Sequence, residues 1–219
     1  MNNDFNLIKA SASRFSIIKI IIFSIAALLL NIVFAFAAVK FHLIIFLDTI
    51  FTVAITFYMG LIPGLLVAFF YNPLMMTILC ITNGTQFFIY ETLYLFCGMF
   101  IVLITWLISK NKRNFLYSTA YTFLYLVIIA FVSAIASCLC ASFLDTFIRP
   151  LFGQISGFSP TEDFTYSFQN LNLGDFLSFF LVRIPITVVD RLICTFAGYG
   201  VYLLLSKISP VAETTISKR

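Results

Sequence analysis

Long apolar runs with short polar breaks between them dominate the chain, and each run is about as long as a bilayer is thick. A helix needs about 20 apolar residues to cross the hydrocarbon core. The first run, Ile20 to Val39, is uncharged between Lys19 and Lys40 and follows Lys9, Arg14 and Lys19, the flank of a start-transfer helix. Ala35-Phe36-Ala37 resembles a signal-peptidase site, but the run is longer than the about 7–15 residues of a signal-peptide core, so it reads as a retained first span over 20–39. From Thr49 to Tyr90 no residue is charged, and the break must come from turn chemistry. Gly60-Leu61-Ile62-Pro63-Gly64 supplies it, giving a second span over 42–59 and a third over 64–81 with Asn72-Pro73 at mid-depth. Because Pro63 interrupts the Gly60-x-x-x-Gly64 spacing, that motif reads as a tight loop and not as a packing face.

Thr82-Asn83-Gly84-Thr85-Gln86 makes the next break. A fourth span over 87–109 ends at Lys110, Lys112 and Arg113, and a fifth runs over 115–143. Residues 144–175 are rich in Asp, Asn, Gly and Pro and read as an external loop, with a capping-box spacing at Ser159-Pro160-Thr161-Glu162 that predicts a short surface helix. The sixth span covers 176–205. The pattern predicts an all-α integral membrane protein, a single bundle of six transmembrane helices over 1–219 with no second domain.

Composition narrows the function. The chain is 62% hydrophobic and 10% charged, against roughly 45–50% and about 25% in soluble domains. Six crossings leave no room for a soluble catalytic or ATP-binding domain, and no Gly-rich phosphate loop is present. The single histidine, His42, removes zinc motifs built on paired histidines, and the five cysteines, never spaced C-x-x-C, read as small buried hydrophobes. No metal, cofactor or catalytic set is expected. The basic residues flank the spans, where they set orientation, so no nucleic-acid partner is expected either. With the N-terminus inside, the cytoplasmic pieces hold nine basic residues (Lys9, Arg14, Lys19, Lys110, Lys112, Arg113, Lys207, Lys218, Arg219) and the external pieces two, Lys40 and Arg149. Both termini are therefore expected in the cytoplasm.

Ionisable residues inside spans are costly and mark functional positions. Asp48, Glu91 and Arg183 fall in the outer parts of spans two, four and six, Asn72 sits at mid-depth, Asn83 and Gln86 lie in an adjacent external turn, and Arg149 opens the long loop. These seven are the candidate substrate-binding residues of an outward-facing cavity, with Phe46, Phe87, Phe88, Tyr90, Tyr94 and Phe179 as walls. Arg183, Thr187, Asp190 and Cys194 share one helix face that should look into the bundle. A competing reading makes these charges scaffold, Arg183 pairing with Asp48 or Glu91, and Asp190 with Arg191 or a backbone carbonyl; Asp190 and Arg191 are expected to anchor or couple. Ala130, Ala134, Cys138 and Ala141 form a small-residue stripe for close approach of a helix, internal or from another subunit. Two arginines near the cavity allow a carboxylate or phosphate ligand, and aromatic walls suit a flat ring.

Leu47-Asp48-Thr49 opening the second span, Gly60-x-x-Pro63-Gly64, Asn72, Arg183-x-Pro185-x-x-x-x-Asp190-Arg191 and Gly198-Tyr199-Gly200 form a pattern over roughly residues 16–206. It resembles the substrate-binding S components of energy-coupling factor (ECF) vitamin transporters. The resemblance implies a subunit of the bacterial cell membrane that captures a small water-soluble vitamin or related micronutrient from outside, in a site in the outer half of the bundle. It also implies as partners a transmembrane coupling protein and two ATPase subunits, with substrate released by toppling of the subunit in the lipid bilayer. Many members carry an A-x-x-x-A docking motif in the first helix; Ala26, Ala27, Ala35, Ala37 and Ala38 do not form it, whereas Ala130 and Ala134 have that spacing. A membrane sensor domain is the alternative, although 13 residues after Ser206 leave little for an output module. An intramembrane enzyme using Asp48, Glu91 and Asp190 as acids or bases is a third reading.

Overall fold

The computed structural model describes residues 17–41, 43–84, 87–111, 115, 118–152 and 174–208. Every regular element among them is helical. Helix α1, Ile17–Lys40, turns Ala27, Asn31, Ile32, Ala35 and Ala38 inward and leaves most of its remaining apolar side chains outside. After an irregular stretch over 43–49 comes α2, Ile50–Met59, so the second span, expected over 42–59, is helical only in its second part. Its 10 residues rise about 15 Å, half of a hydrocarbon core of about 30 Å. All of them except Phe51 are buried, and α2 is the hub of the bundle, in contact with its neighbours on every side.

Gly60, at φ 98° and ψ −162°, alone joins α2 to α3, Leu61–Asn83. Only glycine enters that region without strain. Pro63 is the third residue of α3, where a backbone N–H has no intrahelical partner to lose. The proline therefore does not end the helix, and Gly64 packs inside it: a Cβ there would meet Val102 Cγ1 at 2.9 Å and Thr56 Oγ1 closer still. The expected loop over 60–64 is one junction residue followed by a packing position. Gly84, left-handed at φ 63°, closes α3.

Helices α4, Ile89–Thr92, and α5, Leu95–Ser109, make one run bent at Leu93 and Tyr94, where the backbone bonds tighten to three-residue spacing. Helix α6, Thr119–Phe143, starts at Ser118, whose hydroxyl accepts the Tyr121 N–H at 3.3 Å. It continues through a π-helical turn, Leu144–Ile148, and a 3₁₀ turn, Arg149–Phe152. The loop expected from 144 thus begins as helix through Phe152, with Asp145 buried. Residues 153–173, which include Ser159 to Glu162, lie outside the described residues. Helix α7, Asp175–Ile208, is the longest.

Four runs are long and apolar enough to cross a membrane: Ile17–Lys40, Leu61–Thr82, Ile89–Ser109 and Thr119–Phe152. Less than two fifths of each is buried inside the chain. Leu, Ile and Phe cover the remainder, a surface suited to lipid and not to water, and this marks a membrane protein. Helix α7 packs so closely on α2 that a Cβ at Gly198 would lie 2.7 Å from the Ile50 carbonyl oxygen and 2.9 Å from Val53 Cγ1. Below that contact Val53, Phe57, Ile101, Leu126 and Ile129 form an apolar core, with Phe57 edge-on to Tyr199.

Candidate functional site

A partly open cavity of about 270 Å³ lies between the stretch before α2, the middle of α3, the α4–α5 bend, the end of α6 and the first half of α7. Two clusters of charge frame it, each built because a carboxylate among apolar helices must have its lone pairs filled.

The first cluster stands on α7. Asp190 is fully buried, and one of its oxygens accepts the backbone N–H groups of Phe46 and Leu47, each at 2.9 Å. Those donors belong to the irregular stretch, where Leu47 holds a left-handed φ of 51° and no helix ladder is available. The other Asp190 oxygen accepts from Arg191, and Cys194 Sγ lies 3.8 Å from it. Arg191 also donates to Thr49 Oγ1 and reaches Asp48 Oδ1 at 2.9 Å. Adjacent residues of α7 thereby hold segment 46–49 in its non-helical shape.

The second cluster spans three elements. The π turn of α6 brings Asp145 inward, 3% exposed, where it accepts hydrogen bonds from Tyr90 and from Tyr94 (2.6 Å) and pairs with Arg183 of α7. The bend between α4 and α5 sets the two tyrosine hydroxyls 2.7 Å apart. Arg183 lies over the Tyr94 ring at 5.6 Å, and Arg149 over the Tyr90 ring at 6.0 Å.

Asp48, Asn72, Glu91, Arg149 and Arg183 line the one cavity, together with Arg191. Asn83 ends α3, but its side chain and the whole of Gln86 lie outside the described positions. The expected pairings are revised in part. Arg183 is held by Asp145 and not by Asp48 or Glu91, whereas Asp190 pairs with Arg191, one of the two expected partners, and its other oxygen accepts backbone N–H groups. Of the expected walls, Phe46 and Tyr94 face the cavity and Tyr71 joins them, whereas Phe87, Phe88, Tyr90 and Phe179 do not line it. The five cysteines are free thiols, and Cys97 and Cys138 are part of the wall. Ala130 and Ala134 are fully buried in α6, which packs between α5 and α7, so the helices brought close there are this chain's own.

Three polar groups on the wall have no hydrogen-bond or ion-pair partner among the described residues: the Tyr71 hydroxyl, the Asn72 amide and the Glu91 carboxylate. Sequence reasoning missed Asp145, read as the first polar residue of a loop, and Asn31, whose amide bridges α1 to α2 by donating to Thr52 Oγ1 (2.7 Å) and accepting from the Phe51 N–H (3.0 Å). The signal for Asn31 was available: an amide in mid-span with alanines four residues to either side. Among the described residues no group of three His, Cys, Asp or Glu side chains is placed to hold a metal ion. No family model, no curated protein and no solved structure matches the chain.

Proposed function

We propose that the chain is a six-crossing subunit of the bacterial cell membrane, with both termini cytoplasmic, that captures a small water-soluble molecule from the external side for ATP-driven import. The observation that carries this reading is the cavity itself. A membrane bundle with a partly open cavity of about 270 Å³ that presents Tyr71, Asn72 and Glu91 without partners among the described residues has the apolar wall and few orienting polar groups of a small-molecule site. Four long apolar helices support four of these crossings, and we read the run over 43–59 and α7, whose central charges are turned inward and paired, as the other two. The nine-to-two distribution of basic residues supports the orientation.

Binding is favoured over chemistry because Asp48 and Asp190 are both held by Arg191, which leaves Glu91 as the single carboxylate unpaired among the described residues, where acid–base work would need a second group free to exchange its proton. The resemblance to ECF S components supplies the finer reading: a vitamin or related micronutrient as substrate, and a transmembrane coupling protein with two ATPase subunits as partners. Native mass spectrometry of the protein purified from rich medium tests it. A single small-molecule adduct is expected on the wild type and lost on Tyr71→Phe/Asn72→Ala. Adducts of lipid and detergent alone, or a small molecule indifferent to the double substitution, would overturn the capture reading.

A further inference from the structure

Building on the cavity as a capture site, we infer that its occupant is a compact organic cation, a protonated amine or a cationic nitrogen heterocycle presented to Glu91, and not a carboxylate or phosphate. The argument is one of charge bookkeeping among the described residues. Three arginines border the site, Arg149, Arg183 and Arg191, with four acids, Asp48, Glu91, Asp145 and Asp190. Arg183 is taken by Asp145. Arg191 is shared between Asp48 and Asp190, so two carboxylates lean on one guanidinium. Glu91 has no ion-pair partner among the described residues. Among the described residues, three positive groups stand against four negative ones, a sum of −1.

An anionic ligand would add to that excess, and could take the terminal nitrogens with which Arg183 and Arg191 hold Asp145, Asp48 and Asp190 only by breaking a pair already formed. A cation brings the sum to zero and gives Glu91 its counter-charge. The rest of the wall fits the same guest. Asp48 uses Oδ1 on Arg191 and, a quarter exposed, still lines the cavity. Phe46 and Tyr71 offer aromatic rings, whose negative faces attract cations, while the Tyr94 ring already carries Arg183. Tyr71 and Asn72 can accept from an N–H or donate to a ring nitrogen. A volume of about 270 Å³ is near the small end of ligand sites, which run from about 300 to 1,000 Å³, and suits one ring with a short arm.

Benzylammonium, benzyl alcohol and benzoate are probes of nearly one shape and of charge +1, 0 and −1. Titrated into the full-length protein in detergent and followed by saturation-transfer NMR, they should bind in that order of decreasing affinity. Glu91→Gln keeps the volume and removes the charge; it should weaken benzylammonium by about tenfold or more while leaving benzyl alcohol within about twofold. Asn72→Asp adds a second carboxylate to the cavity wall and should tighten benzylammonium and weaken benzoate, a test that stands even where Glu91→Gln does not fold. Benzoate binding as well as the amine, or an amine indifferent to both substitutions, overturns the charge assignment and leaves capture intact. Failure of all three probes to bind overturns the cavity as a ligand site, and the capture reading with it.

Discussion

A carboxylate survives among apolar helices when each oxygen has a donor, and Asp145 meets that condition with Tyr90, Tyr94 and Arg183. Removing its charge would strand the guanidinium, whose side chain is 14% exposed. Asp145→Asn is expected to cost about 3–5 kcal/mol, because breaking one side of a buried pair leaves the other uncompensated. Thermal unfolding in detergent measures it, and Asp145→Leu combined with Arg183→Met should recover much of the loss. A single variant as stable as wild type would mean the pair is not holding α6 to α7. The sequence hid this residue for a physical reason. Charge ends a span when it is left bare, and Asp145 is neutralised by an arginine 38 positions away, a pairing that no linear pattern displays. Asp48, Glu91, Arg183 and the Asp190-Arg191 pair, in contrast, were legible because each interrupts an apolar run with no flanking turn to excuse it.

Among the elements, α2 and α7 do most to place the site, and a glycine sets how near they stand. At Gly198 an added methyl would meet backbone and Val53, whereas at Gly200, two residues on, it would meet nothing within 4 Å. Gly198→Ala is therefore expected to destabilise by about 1–3 kcal/mol through overpacking. Gly200→Ala should be neutral or gain up to about 1 kcal/mol from helix propensity. Denaturation of the two variants side by side checks the contrast, and equal stabilities would contradict the close α2–α7 contact. Helix identities were legible from apolar run length alone, since α1, α3, α5, α6 and α7 each overlie a run of crossing length. Their ends were less so. Pro63 fell in a first turn that tolerates it, and segment 43–49 was apolar enough to pass for helix while its backbone is held by side chains from α7.

At the scale of the molecule, the proposed orientation sets which face of the membrane admits the ligand. Phe41 and Asn111 are exposed just beyond α1 and α5. In a background with the native cysteines replaced, an impermeant maleimide should reach Phe41→Cys on intact cells and Asn111→Cys only after permeabilisation. The reverse pattern would turn the cavity toward the cytoplasm and remove the import reading. The Asp190 clamp also bears on how the molecule is made. Its acceptor follows Phe46 and Leu47 by 144 and 143 residues, so a ribosome threads four further helices into the bilayer before those two amides find their carboxylate. A nascent chain stalled before α7 would carry two bare backbone donors beside a helix too short to cross alone, a mark by which membrane quality control can tell an unfinished copy from a finished one. The stretch before α2, among the first to leave the ribosome, is the last to have its backbone donors satisfied.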